Sequence, residues 1–291
     1  MNREPHLEIG KLPSIQIIAM DSLLLHEDPD PTRSGPLAER IAADGCLRNP
    51  LIAARDHGTA THLLLDGANR LHALRALGAR CVVIQNVDLD DEGLVLSTWH
   101  HAVEGLSGAA IAKRLRRASG VSVASKVSPI RARLTRQHDF IPAFTGDAAC
   151  SILLPTGAAF AIRTGPSAAD RLDAARAVTD AIRDARNVDR VSYTNLDDLR
   201  RNYPHFSALI CYRDFAKRDI LEFALSGKKC PSGITRFGVP KRAVSLSVPL
   251  AFLKDSKSLA AKKTALERVI RRKIRERKIR FYQEPTFHFD D

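Results

Sequence analysis

The chain has 291 residues, 44% of them hydrophobic, long enough for two domains with an ample core. No apolar run approaches the roughly 20 residues that span a bilayer, and the start MNREPHLEIG lacks the apolar stretch of a secretory signal, so a cytoplasmic protein without a membrane partner is expected. The net charge of +12 is uneven: residues 1–101 hold 9 Lys/Arg against 14 Asp/Glu, and the positive excess sits in 113–136 and 254–280. Basic stripes of this kind could hold DNA or RNA through phosphate contacts, or be ordinary solvated helix faces. Five widely spaced cysteines (Cys46, Cys81, Cys150, Cys211, Cys230) with no C-x-x-C pair point to reduced thiols and against a zinc site.

Along the chain, a Pro-rich loop carries His26, Glu27, Asp28 and Asp30. Ser34-Gly35-Pro36 opens a helix with Leu37 and Ile41 one turn apart, and Gly45 closes it. Pro50–Ala54 reads as a strand, Asp56-His57-Gly58 as a turn, and 61–65 as a second strand. A helix follows, then a strand at Cys81–Val87, and a run LVLSTWHH that reaches the only tryptophan, Trp99. Residues 102–146 are basic and helix-prone, a connector or flap. From 147 a second α/β module is expected. It starts with a hairpin in 150–165 around Pro155-Thr156-Gly157, then a helix capped by Ser167. A strand at 190–193, a helix at 196–201, a strand at 208–212 and a helix at 215–226 come next. The segment ITRFGVP, a strand at 244–248 and a basic helix at 258–278 end the series. The whole is an α/β (α+β) protein, divided as 1–101, 102–146 and 147–291.

The most informative stretch is THLLLDGANRLHALRALG, residues 61–78. An apolar strand stops at Asp66-Gly67, and a helical pattern with Leu71, Leu74 and Leu77 begins at once and stops at Gly78. A strand turning through glycine into a helix presents free backbone N–H groups and the positive end of the helix dipole, which favours a phosphate. Arg70 can add a charge-assisted contact. The alternative is an ordinary helix capped by Asp66.

This stretch resembles the DG-x-x-R box of the ParB/sulfiredoxin-like superfamily. Together with LLLHEDPDPTR (23–33), LRNPLIAA (47–54), LGARCVVIQNVD (77–88), STWHH (97–101), PSGITRFGVPKRA (231–243) and RFYQEPTFHFDD (280–291), it resembles the ParB-like free L-serine kinases. The likeness is to the longer type found with siderophore and diaminopropionate biosynthesis. The resemblance implies a small N-terminal ParB/sulfiredoxin-like module that binds nucleotide and serine. It implies phosphoryl transfer from ADP or ATP to free L-serine, with Mg²⁺, giving O-phospho-L-serine. Gly67, Ala68 and Asn69 would offer N–H groups and Arg70 its guanidinium to the phosphates. The family usually has His where this chain has Asn69. Asp66 could help hold Mg²⁺. Glu27 matches the general base on the serine hydroxyl, although the residues alone do not choose among Glu27, Asp28 and Asp30. Trp99 would shape the serine pocket, with Thr98 and His100 as polar neighbours; neighbouring histidines on a strand face opposite ways, so no metal site is assigned to them. Arg48 and Asn49 could reach the nucleotide or the serine carboxylate.

Pro and Gly around Thr235-Arg236 suggest a fixed loop, serving the active site, an interface or a regulatory ligand. The rival function is a ParB-like DNA-binding regulator with the nucleotide site as a switch. Its distinguishing feature would be a helix-turn-helix, of which 105–136 shows a weak pattern around Gly120.

Overall fold

The computed structural model describes residues 12–55, 61–124, 133–134, 140–141, 147–192 and 196–282. The expected turn at Asp56-His57-Gly58, most of 125–146, and residues 283–291 of the last motif lie outside the described residues. The strands are β1 (Ser14–Ala19), β2 (Leu23–Leu25), β3 (Cys46–Leu47), β4 (Leu51–Arg55), β5 (His62–Asp66), β6 (Cys81–Val87), β7 (Val95–Thr98), β8 (His100–Glu104), β9 (Ser122–Val123), β10 (Arg133–Leu134), β11 (Phe140–Ile141), β12 (Ala148–Leu153), β13 (Ala159–Arg163), β14 (Asn187–Val191), β15 (Phe206–Tyr212), β16 (Thr235–Gly238) and β17 (Val248–Pro249). The helices are α1 (Pro31–Asp44), α2 (Ala68–Ala76), α3 (Gly108–Leu115), α4 (Ala168–Ala181), α5 (Leu196–Asn202), α6 (Lys217–Leu225), α7 (Leu250–Lys254) and α8 (Leu259–Arg275).

The first sheet is mixed, in the order β1-β6-β4-β5-β2. Its apolar runs do not alternate with polar residues because both faces are covered. Leu63 and Leu65 of β5, with Ile52 and Ala54 of β4, enter a core shared with the second sheet. Leu64, Leu51 and Ala53 point the other way, into a core under α1, α2 and α8. The second sheet is antiparallel, in the order β14-β8-β15-β12-β13-β9. The hairpin of β12 and β13 and the helix after Ser167 stand where expected. Ser167 and Asp170 form a reciprocal capping box, each side chain accepting the other's backbone N–H at 3.0 Å.

The α/β class is as expected, but its parts interlock differently. Residue 101 falls inside β8, which pairs with both β14 and β15. The C-terminal segment also returns to the first module: β17 pairs with β3 in a small two-stranded sheet, and α8 packs on β1 of the first sheet. The anchor is Lys262 of the basic helix, 1% exposed, whose Nζ donates to the Asp255 carbonyl at 2.9 Å and meets the Asp255 carboxylate at 3.1 Å.

Two local readings also change. The first helix starts at Pro31, capped by Asp30, whose Oδ1 accepts from Thr32 N at 3.0 Å; Pro36 lies inside it. Lying past the first turn, Pro36 removes one i→i−4 bond from the ladder. Residues 244–247 are not a strand; only Val248–Pro249 pair. After α3 the chain turns at Gly120 (φ 74°) into β9, and most of the expected second helix of a helix-turn-helix, 125–132 and 135–136, lies outside the described residues.

Candidate active site

A cavity of about 800 Å³ opens where the 26–30 loop, the start of α2, Trp99, Arg190 and β16 meet. The 26–30 loop is braced across the molecule. Cys230 N donates to the His26 carbonyl at 2.6 Å, and Asp28 N to the Cys230 carbonyl at 3.1 Å. Asp30 N donates to Asn69 Oδ1 at 2.8 Å, which ties the loop to the first turn of α2. Asn69 thus serves through its side-chain oxygen, a role open to an uncharged amide.

The loop's three acids separate by environment. Asp30 caps α1. Asp28 is about half exposed and pairs with Lys229 at 3.3 Å. Glu27 is largely buried at the cavity wall, its side chain 16% exposed. The Gly233 N–H donates to its Oε1, and the Thr235 hydroxyl lies 3.1 Å from its Oε2. Burial raises the Glu27 pKa to about 7, against the opposing pull of Arg190. A carboxyl poised near neutrality can take a proton from an alcohol and return it. Beside it, His26 places Nδ1 2.5 Å from the Leu64 carbonyl and Nε2 2.8 Å from Thr235 Oγ1. Burial lowers its pKa to about 4, despite the backbone bond.

Gly67 is the N-cap of α2, at φ 116°, and no side chain caps the helix. Asp66 is therefore not the cap, and the first N–H groups of α2 are left for a ligand. A Cβ on Gly67 would sit 2.8 Å from Leu51 Cγ, which explains glycine here. Arg70 turns out to be largely occupied. Its NH1 donates to the carbonyls of Asn49 (3.1 Å) and Pro50 (2.7 Å), and its NH2 lies 3.2 Å from Asp66. It fixes α2 to the strand ahead of it more than it reaches outward. The half-exposed cation at this corner is Arg242, 2.5 Å from Asp66 Oδ2. Burial would raise the Asp66 pKa, but Arg70 and Arg242 outweigh it and hold the carboxyl below its usual range.

Trp99 lines the cavity, with the Arg236 guanidinium 4.6 Å from its ring centroid. Its backbone N donates to the Ile234 carbonyl at 2.8 Å. The other expected substrate contacts lie outside the cavity lining. The Thr98 hydroxyl sits 3.0 Å from both the Tyr212 carbonyl and Asp214 Oδ1. His100 is buried in β8, its pKa lowered to about 4 by burial. Arg48, just after β3, pairs with Asp44 at the end of α1 at 2.9 Å. Asn49 Oδ1 accepts from Ser245 N at 2.8 Å. Thr98, Arg48 and Asn49 thus each have a local partner, while His100 Nδ1 is buried without one.

Several lining cations were not read from the sequence: Arg33 and Arg40 of α1, Arg190 of β14, and Arg242. The seven-residue spacing of Arg33 and Arg40 on one helix face was the available signal. Among the described residues no group of three or more His, Cys, Asp or Glu could hold a metal ion alone. None of their helices is long and apolar enough to cross a membrane.

No family model matches the chain. It is similar to the ATP-dependent L-serine kinase SbnI of Staphylococcus aureus, 24% identical over 246 residues, covering 83% of this chain and 84% of that protein. An ATP-dependent L-serine kinase of Staphylothermus marinus is 35% identical over 89 residues, 31% of this chain and 35% of that one. Among solved structures, SbnI with a C-terminal truncation from Staphylococcus aureus aligns at a TM-score of 0.67 and 19% identity, over 89% of this chain and 96% of that one. A free serine kinase in complex with AMP aligns at 0.64 and 18% identity, over 84% of this chain and 95% of that one. At these identities the structural likeness shows a shared fold.

Proposed function

We propose that this chain is a free L-serine kinase, transferring a phosphoryl group from a nucleoside phosphate to the hydroxyl of L-serine to give O-phospho-L-serine. The observation that carries the reading is Glu27, a buried carboxyl poised near neutrality at a cation-rich cavity, in a chain similar to L-serine kinases over most of its length. ATP is the expected donor, as in the relatives' names.

In this reading the N–H groups of Ala68 and Asn69, at the uncapped start of α2, take donor phosphate oxygens. Arg242, Arg33, Arg40 and Arg236 supply positive charge around the transferring group. Glu27 accepts the serine hydroxyl proton as the oxygen attacks phosphorus and the nucleotide leaves with the electrons of the broken bond. Trp99, stacked under Arg236, walls the serine side against water. Asp66 lines the cavity beside α2 and stays ionised, the hard oxygen donor that a nucleotide-bound Mg²⁺ needs from a protein. Mg²⁺ held there would neutralise phosphate charge. We place the enzyme in the cytoplasm, where its five free thiols stay reduced.

DNA binding through 113–136 and 254–280 draws no support from the relatives' names, and one face of α8 is taken up by the first sheet through Leu266 and through Lys262, whose Nζ lies 3.3 Å from Cys81 Sγ. Purified protein incubated with L-serine, Mg²⁺ and either ATP or ADP should form O-phosphoserine. Absence of product with both donors would overturn the reading.

A further inference from the structure

We propose that Thr235 and His26 set the basicity of Glu27, by making its protonated state the one with a complete hydrogen-bond chain. The inference rests on the kinase reading for its purpose, since there Glu27 is the base.

The argument is one of counting protons. The Leu64 carbonyl can only accept, so the His26 Nδ1, 2.5 Å away, must carry the ring's proton. His26 is neutral, so its Nε2 is then a lone pair, facing Thr235 Oγ1 at 2.8 Å. Thr235 has one hydroxyl proton and two candidates for it, His26 Nε2 and Glu27 Oε2. With Glu27 ionised, both acceptors compete for that proton and one is left unpaired. With Glu27 protonated, its O–H donates to Thr235 Oγ1, Thr235 donates to Nε2, and Nδ1 donates to Leu64. Every group is then satisfied. An unpaired buried acceptor is costly, so the chain favours the proton on Glu27.

A threonine that only donated to Glu27 would act in the opposite sense and weaken the base. The surroundings are mixed in sign. Arg190 from β14 favours the ionised carboxylate, while Asp66 at the end of β5 favours the protonated one. Cys230 also faces Glu27, as a thiol whose pKa is pushed up to about 12 by burial. The Phe237 ring packs edge-on against His26 at 5.5 Å and offers no hydroxyl or amide to replace Thr235. The proton does not travel on to His26, because the imidazole is the much weaker base of the two. Thr235 and His26 are positioning residues: they shape what Glu27 does without touching the substrate.

The test needs no substrate. In ¹⁵N-labelled protein, the His26 Nε2 signal is followed between about pH 5 and pH 9, with Nδ1 as the internal reference. The expected result is a ring that stays neutral and protonated on Nδ1. Its Nε2 shift should move as Glu27 titrates near neutrality and be locked in the hydrogen-bonded position in Glu27→Gln. Thr235→Val should abolish the movement and Thr235→Ser restore it. A Nε2 signal that is flat through the Glu27 titration, or that moves equally in Thr235→Val, would overturn the proposal. His26→Phe gives a second reading, through the pH profile of kcat. Freed to donate to Glu27 alone, Thr235 should shift the midpoint to lower pH by about one unit, and an unshifted midpoint would count against the coupling. If the parent makes no phosphoserine but Nε2 still follows Glu27, the kinase reading fails while the coupling stands.

Discussion

Burial gives Glu27 its chemistry and also makes it a cost to the fold. Its pKa lies at about 7 in the folded protein against 4.5 when exposed, so between those values the folded state holds a proton that the unfolded state has lost. Stability therefore falls as pH rises through that window. The gap is worth at most about 3 kcal/mol. Glu27→Gln, a mimic of the protonated form, should raise the melting temperature relative to the parent at pH 8 and leave it nearly unchanged near pH 4.5. Equal shifts at both pH values would show that charge is not the cause. Arg70 gives a contrasting case. Because its donors serve two carbonyls and Asp66, Arg70→Ala should lower stability by roughly 1–3 kcal/mol in a urea titration. Arg242→Ala should instead weaken nucleotide binding with little change in the urea midpoint, its ion pair being half exposed. At this scale the sequence named Glu27 only through resemblance, since three acids share its loop and burial alone tells them apart. Arg48, Asn49, Thr98 and His100 lie outside the cavity lining, which position in the chain could not show.

The element that organises the cavity is β5 running through Gly67 into α2. Its strand, turn and helix were legible to within a residue or two, because apolar run, glycine, helical leucines and the stop at Gly78 all agree. Its missing cap was not legible, since Asp66 is a good N-cap residue that two arginines hold elsewhere. Gly67→Ala puts a Cβ at φ 116° and 2.8 Å from Leu51 Cγ. Strain of roughly 1–3 kcal/mol should follow, together with a tilted helix start and weaker nucleotide affinity; calorimetry and a denaturation curve check both. An alanine variant with parental affinity would mean that the start of α2 does not hold the phosphates. The strand expected at 244–248 shortens to Val248–Pro249, because short β-branched stretches take their pairing from whatever edge is near.

Across the whole molecule, the basic C-terminal helix is structural on one side and free on the other. Lys262 and Leu266 bury against the first sheet, while Arg271 and Arg272 stay in water. Neutralising Arg268, Arg271 and Arg272 should leave phosphoserine synthesis within about twofold of the parent. Lys262→Ala should cost about 1–3 kcal/mol, reduced from the value for a fully buried pair because Asp255 keeps contact with solvent. Comparing initial rates and melting temperatures of the two variants separates these roles. The order of elements along the chain was largely legible, but the interleaving was not: β8 at the heart of the second sheet and α8 under the first are long-range pairings that local pattern does not encode. All of these scales meet at Glu27. The most direct measurement is ³¹P NMR of L-serine, Mg²⁺ and ATP with the parent and with Glu27→Gln. The parent should convert serine to O-phosphoserine, faster as pH rises through about 7, and the variant should be slower by roughly 10²–10⁴-fold. A parent that makes no O-phosphoserine, or a Glu27→Gln protein that makes it at more than half the parental rate, would contradict the account.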